Sequence, residues 1–262
     1  MRRGELFWGV LLVVLGGLFA LKAAGYLTGD VFSWFWPLFI IAAGVWVLIG
    51  GGLRPHQVPA QENFSVPLQG AKKASLRIDS GMGKIRMGAG ARAGDFLTGF
   101  QAVGMNHSSQ LNGDHLDVSI EARPSVIPFL GPEGGVWQYR LDPGIPADVT
   151  IHSGATGLDL DFRELQVTRF SFQGGATSLN LTLPASVESM VANIEAGAAS
   201  IELRVPEGVA LRLHARSVGS VHVNEGRFPR RDLDLYESAD YDGAPRRADV
   251  SVEGGATSLR VI

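Results

Sequence analysis

The chain has 262 residues, 45% of them hydrophobic, a formal net charge of -3 and no cysteine. So small a charge, with no basic cluster carrying interleaved aromatics, gives nucleic acid no electrostatic footprint. The lack of Cys excludes disulfides, thiol catalysis and Cys-ligated zinc. The averages hide a division, because four of the five Trp (Trp8, Trp34, Trp36 and Trp46) lie within residues 1–53 and Gly, Ser, Asp and alternating aliphatics dominate afterwards.

The first elements in chain order are two apolar runs. Leu6 to Leu21 is sixteen residues without a charge, and Val31 to Leu53 is twenty-three. A bilayer-spanning helix needs about 20 apolar residues, with roughly 17 at the short end. The second run qualifies directly. The first qualifies over 6–24 if Lys22 snorkels to the interface. Trp8 at one end, and Tyr26, Trp34 and Trp36 at the other, suit the aromatic belts of a membrane. A cleaved signal peptide is the alternative for the first run, since Arg2 and Arg3 precede it. It is disfavoured by the length of the run, the poor cleavage site ahead of Lys22 and the second run that follows. Residues 1–53 are therefore expected to form a transmembrane hairpin with spans at 6–24 and 31–53. Gly9 and Gly16 in the first span, and Gly44 and Gly51 in the second, stand one heptad apart and would allow close helix packing. Arg2, Arg3 and Arg54 flank the hairpin, whereas its loop carries Lys22 offset by Asp30. The positive-inside rule then places both ends, and the domain that follows, in the bacterial cytoplasm.

Residues 54–73 contain Pro55, Pro59 and Pro67 and read as an extended tether. From 74 to 262 the sequence repeats itself. Gly154-Ala155-Thr156-Gly157-Leu158-Asp159-Leu160 returns as Gly175-Ala176-Thr177-Ser178-Leu179-Asn180-Leu181 and as Gly197-Ala198-Ala199-Ser200-Ile201-Glu202-Leu203. An early copy stands at Gly81–Met87, a degenerate one at Val218–Val223, and the chain closes on Gly255-Ala256-Thr257-Ser258-Leu259-Arg260-Val261. In each copy a small-residue corner leads into a strand of period two, and a second alternating strand precedes each Gly (Val149 and Ile151, Phe170 and Phe172, Ala192 and Ile194, Leu211 and Leu213).

Two short strands per turn of about 21 residues predict a β-solenoid in which every turn stacks on the last, about 4.8 Å apart. Such stacking would put Leu158, Leu179, Ile201 and Val221 in one interior column, and Leu160, Leu181, Leu203 and Val223 in another. Outside, Asp159, Asn180, Glu202 and His222 would form one column, and Asp161, Thr182, Arg204 and Asn224 a second. A twisted sandwich of hairpins is the alternative. Residues 95–142 break the rhythm, with strands at Leu116–Ile120 and Val136–Leu141 and a hairpin turn at Asn112-Gly113-Asp114. Ser125 to Gly135 is a loop whose apolar residues are more readily core than contact surface. Arg227 to Arg247 reads as a polar excursion before the terminal strand.

No motif for chemistry survives inspection. Gly81-Met82-Gly83-Lys84 lacks the upstream Gly and the following Ser or Thr of a phosphate loop, and Ile78 and Ile85 occupy those positions. Gly88-Ala89-Gly90-Ala91-Arg92-Ala93-Gly94 lacks dinucleotide spacing and a βαβ setting. His152, His214 and His222 have no metal-ligand spacing, and Asp240-Tyr241-Asp242-Gly243 lacks the further ligands of a calcium loop. No Gly-x-Ser-x-Gly or His-Glu-x-x-His occurs. No catalytic, cofactor-binding or metal-binding residue is assigned, no cofactor is expected, and the chain reads as no enzyme.

Together the two halves resemble the LiaF-type membrane proteins of bacteria. The hairpin carries the resemblance at Trp36-Pro37-Leu38-Phe39-Ile40-Ile41-Ala42-Ala43-Gly44. The repeat resembles the toastrack domain through its Gly-Ala-Thr-Ser-Leu copies and the alternating strands between them. The resemblance implies a membrane-anchored all-β protein, with a right-handed β-helix-like domain of the kind sometimes labelled "putative adhesin". It also implies a regulator or scaffold of cell-envelope stress signalling that contacts a sensor histidine kinase or another envelope-stress membrane protein. An adhesive or self-assembling surface module, a homo-oligomer through its strand edges, is the alternative function.

Overall fold

Alternating apolar and polar residues on either side of small-residue corners make strands with one buried and one wet face. A computed structural model describes residues 61–102, 105–122 and 136–262. The expected spans at 6–24 and 31–53, and the apolar loop at 125–135, lie outside the described residues.

The strands are β1 (Gln61–Pro67), β2 (Lys73–Ala89), β3 (Asp95–Ala102), β4 (Met105–Asn112), β5 (His115–Ala122), β6 (Val136–Leu141) and β7 (Ala147–Asp161). After them come β8 (Val167–Thr182), β9 (Ser189–Arg204), β10 (Ala210–Arg216), β11 (Ser220–Val223), β12 (Arg230–Asp232), β13 (Leu235–Glu237) and β14 (Arg247–Val261). Five of these, β2, β7, β8, β9 and β14, are long bent strands that pair in parallel. Where two short strands were expected per repeat, one continuous strand runs through the corner. The corner reverses the burial phase. In β7 the buried positions are 147, 149, 151 and 153 before Gly154, and 156, 158 and 160 after it. Each bent strand thus offers a first limb and a second limb whose apolar faces share one core. Parallel pairing from limb to limb excludes the sandwich of hairpins.

The stack runs β2, β7, β8, β9, β14, with β5 and β6 on the two limbs of β2 at one end and β10 and β11 on the two limbs of β14 at the other. The expectation that each turn stacks on its predecessor holds from β7 to β9 and then fails. The C-terminal strand enters between β9 and the β10–β11 pair. Leu259 therefore separates Ile201 from Val221 in one interior column, and Val261 separates Leu203 from Val223 in the other. The physical reason is continuity. Residues 247–261 form an unbroken two-limb rung that can be covered on both sides. The copy at 218–223 is cut from its first limb at Ser217, which adopts φ +54, and so serves as an end.

Each end carries a cap. At the first, β4 pairs antiparallel with β5, while β3 pairs with β6 and β1 with β3. Part of the segment read as a tether is thus a strand. Val66 is 1% exposed and drives it, and Pro67 sits at the bulge that ends the pairing. At the other end, β13 pairs with β10 and β12 with β13. The segment read as polar is anchored by three buried aromatics, Phe228, Tyr236 and Tyr241.

In the corner column the fit is tightest at Gly154 and Gly175, where an added Cβ would fall within 3.0 Å of the neighbouring rung's carbonyl oxygen. A Cβ on Gly175 would stand 2.6 Å from the Gly154 carbonyl oxygen of the neighbouring rung. That obstacle is backbone and cannot swing aside. Gly175→Ala is expected to destabilise the domain by about 1–3 kcal/mol, as overpacking does. Gly243→Ala has open space at its Cβ. It should leave the unfolding transition in place, which makes it the control for urea or thermal melts.

Candidate interaction surface

The outward positions of the stack form columns along the rungs. On the second limb one column reads Arg86, Asp159, Asn180, Glu202, Arg260 and His222. Arg260 stands where direct contact between Glu202 and His222 was expected. Charges of opposite sign or neutral groups are neighbours along it, which stabilises laterally paired strands. Beside it runs a smooth column in which Ser178, Ser200, Ser258 and Ser220 are exposed. The expected outside column of Asp161, Thr182 and Arg204 is in register as far as β9, but Thr182 is buried, 5% exposed, and Arg204 pairs with Glu202 of its own strand.

The first limb carries a denser polar cluster. Arg77 Nε donates to Asp79 Oδ2 at 2.8 Å, and His152 Nδ1 on the next rung donates to Asp79 Oδ1 at 2.7 Å. Partial burial alone would raise the Asp79 pKa, but the hydrogen bonds from Arg77 and His152 and their charges outweigh it and hold the carboxyl below its ordinary range. A depressed carboxyl pKa contributes stability that is present above the unfolded value, near pH 4, and is lost as pH falls through the folded value. Asp79→Asn is expected to cost up to about 1 kcal/mol near neutral pH, as partly exposed pairs do. Melting at a series of pH values should show that difference closing below about pH 4.

His214 lies 3.9 Å from Asp249, and His222 is exposed on the edge strand β11. The structure thus brings His152 into a carboxylate pair and leaves the three histidines apart. The Asp240–Gly243 segment forms a 3₁₀ turn in which Asp242 reaches Arg212 and the Arg212 guanidinium lies 4.0 Å from the Tyr241 ring centroid. Gly81–Lys84 is the corner of β2, and Gly88–Gly94 runs off the end of that strand into a turn with Gly90 and Gly94 at positive φ. Among the described residues no group of three or more His, Asp or Glu could hold a metal ion. What the surface offers is an extended, regularly spaced display of charges and hydroxyls on a stiff stack.

The sequence profile of the N-terminal domain of toast_rack, DUF2154, matches residues 54–204, more than half of the chain. The chain belongs to the toast-rack family. A second profile, the LiaI-LiaF-like transmembrane region, matches residues 6–48 and gives this toast-rack protein a transmembrane region near its N-terminus. Its β-domain is similar to the crystal structure of a "putative cell adhesion protein" from Clostridium sporogenes ATCC 15579, with a TM-score of 0.71 at 18% identity. That alignment covers 78% of this chain and 98% of the other, and it supports the toast-rack fold alone. A "putative adhesin" from Bacteroides fragilis NCTC 9343 aligns over 77% of this chain and 96% of its own at 12% identity, with a TM-score of 0.31, too low to carry an argument. No curated protein matches the chain.

Proposed function

We propose that this toast-rack protein is a non-enzymatic, membrane-tethered regulator or scaffold of bacterial cell-envelope stress signalling that acts by protein–protein contact. The observation that carries the reading is the joining of a LiaI-LiaF-like transmembrane region to a toast-rack stack in one chain. In this reading the segment at residues 1–53 crosses the cytoplasmic membrane twice, and the excess of positive charge at its ends keeps the stack on the inner side. The stack presents its outward columns to a membrane partner, with a sensor histidine kinase as the first candidate. The test is a photo-crosslinking residue placed at Ser178 or Ser200, irradiated in native membranes. The reading expects a specific adduct with a sensor kinase or another envelope-stress protein. Adducts that contain no signalling or envelope protein would sink it.

One observation favours a second reading, an adhesive or self-assembling surface module. Among the described residues β11 pairs only with β14, so its other edge is free to accept a strand. This reading needs the β-domain outside the membrane. Protease added to intact cells carrying a C-terminal tag separates the two. Digestion without permeabilisation supports adhesion, and protection supports the signalling role.

A further inference from the structure

At the β1–β3–β6 end the outward face folds into a cleft of about 310 Å³ that includes Arg92, Arg140, Ser65, Thr98, Gln138 and Phe100. Among the described residues no Asp or Glu lines it. Arg77, Arg169, Arg204 and Arg212 elsewhere on the stack are each matched by a carboxylate, whereas, among the described residues, others such as Arg86 and Arg260 are not. Arg92 and Arg140 make no ion pair among the described residues. Arg140 gives one long hydrogen bond, 3.4 Å, from Nη1 to the Ala89 carbonyl, so most of its five donors are not used by that bond.

The backbone places both arginines on the lining of this cleft. Arg140 lies against Gly88, where a Cβ would stand 3.2 Å from its Nη1 and 4.0 Å from the Cβ of Asp161, which is outside the cleft lining. Gly90, at φ +115, turns the chain so that Arg92 reaches the same cleft, and the amides of Gly90 and Ala91 both bond the Leu141 carbonyl and fix the turn. A Cβ at Gly99 would collide with the Gln138 carbonyl at 2.5 Å and the Tyr139 ring at 2.9 Å, so glycine there lets β3 lie close to β6. On its exposed side the cleft has Phe100, 44% exposed.

We infer that this cleft is a binding site for a phosphate-bearing ligand, with Arg92 and Arg140 clasping the phosphate and Ser65, Thr98 and Gln138 adding neutral donors. Two planar guanidinium forks match the geometry of a phosphate, which can accept from both bidentately. Their positive charge also raises the local concentration of anions. The volume exceeds what a bare phosphate needs and falls at the lower end of the range for organic ligands. Phe100 supplies an apolar surface for the organic part. The phosphate can belong to a lipid headgroup or to a free phosphate species.

Calorimetry on the full chain in a phosphate-free maltoside detergent tests this, with monomeric short-chain phosphatidylglycerol and inorganic phosphate as separate probes. The site predicts saturable binding that Arg92→Gln together with Arg140→Gln weakens roughly tenfold or more. Both side chains are exposed, so the melting temperature should not move, and Arg92→Gln alone repeats the test if the double variant melts early. Binding of the lipid but not of phosphate, with loss in Phe100→Ala, identifies a headgroup site. Binding of both probes, unchanged in Phe100→Ala, identifies a free phosphate site. No saturable binding of either probe, or a double variant that binds as tightly as the parent, overturns the proposal.

Discussion

A chain that stops at Arg246 is expected to lose the folded β-domain rather than its last strand alone. β14 lies between β9 and the β10–β11 pair, so its removal uncovers a long edge on one side and two short strands on the other. Val250, Val252 and Leu259 are fully buried and Val261 nearly so. Burying such side chains is worth about 1.5–3 kcal/mol each, and together they approach the whole stability of a typical domain. A strand added to the outside of a solenoid would be expendable by comparison. Limited proteolysis of the full and shortened chains in membranes reads the difference. Rapid digestion of residues 61–246 in the shortened chain is the expected result. A protease-resistant core of the parent's size would contradict the placement of β14.

The second large effect falls on the middle rung. Phe172 is 0% exposed on β8, with Ile151 and Ile194 as its neighbours on the flanking rungs. Phe170, on the same face, meets Phe162 edge-on with ring centroids 5.6 Å apart. Register on both sides holds the backbone of the flanking rungs in place, which limits how far they can close on a missing ring. Phe172→Ala should cost about 3–5 kcal/mol, the range for a buried aromatic truncated in a packed core. Gln173→Ala, exposed on the next position, should stay within about 0.5 kcal/mol of the parent. Urea melts of the two variants check both figures, and equal midpoints would mean that the alternation has been assigned to the wrong faces.

Much of this fold was legible because repetition turns local pattern into register. Gly154, Gly175 and Gly197 mark corners, and once the corners are aligned the Leu158–Leu179–Ile201 and Leu160–Leu181–Leu203 columns follow without structural knowledge. Alternation also located β5 and β6. What failed was order. The copy at 218–223 and the copy at 255–261 look alike as heptapeptides, and nothing in their spacing says which is sandwiched and which is an end. The decision rests on a break at Ser217 and on the long-range fit of β14, both invisible to a local pattern. The strand at 61–67 was hidden by prolines that suggested a tether, although Pro67 lies only at its end. The 227–247 cap was hidden by its charges, which stay outside while Phe228, Tyr236 and Tyr241 go in.

The site followed the same division. The outward column of Asp159, Asn180 and Glu202 could be listed from the sequence up to β9 and was wrong beyond it, since Arg260 replaces His222 beside Glu202. Thr182, expected outside in the second column, is buried. The Asp79–His152 pair joins residues on rungs that are sequence-distant, and only the stacking of β2 on β7 brings them together. The Arg92–Arg140 cleft could not be seen at all. The glycines of the Gly88–Gly94 segment lack dinucleotide spacing and instead serve a turn that carries Arg92 toward a strand nearly fifty residues away.

The order of rungs decides which side chains are neighbours on every surface described, and it can be measured directly because the chain contains no cysteine. Ser258 is in register with Ser200 on one side and with Ser220 on the other. Neighbouring strands lie about 4.8 Å apart, within disulfide reach, whereas next-but-one strands, at roughly twice that, are beyond it. Under mild oxidation, Ser200→Cys with Ser258→Cys should crosslink almost completely, and Ser200→Cys with Ser220→Cys should not. Efficient crosslinking of the second pair and none of the first would return the repeats to simple sequential order and contradict the placement of β14.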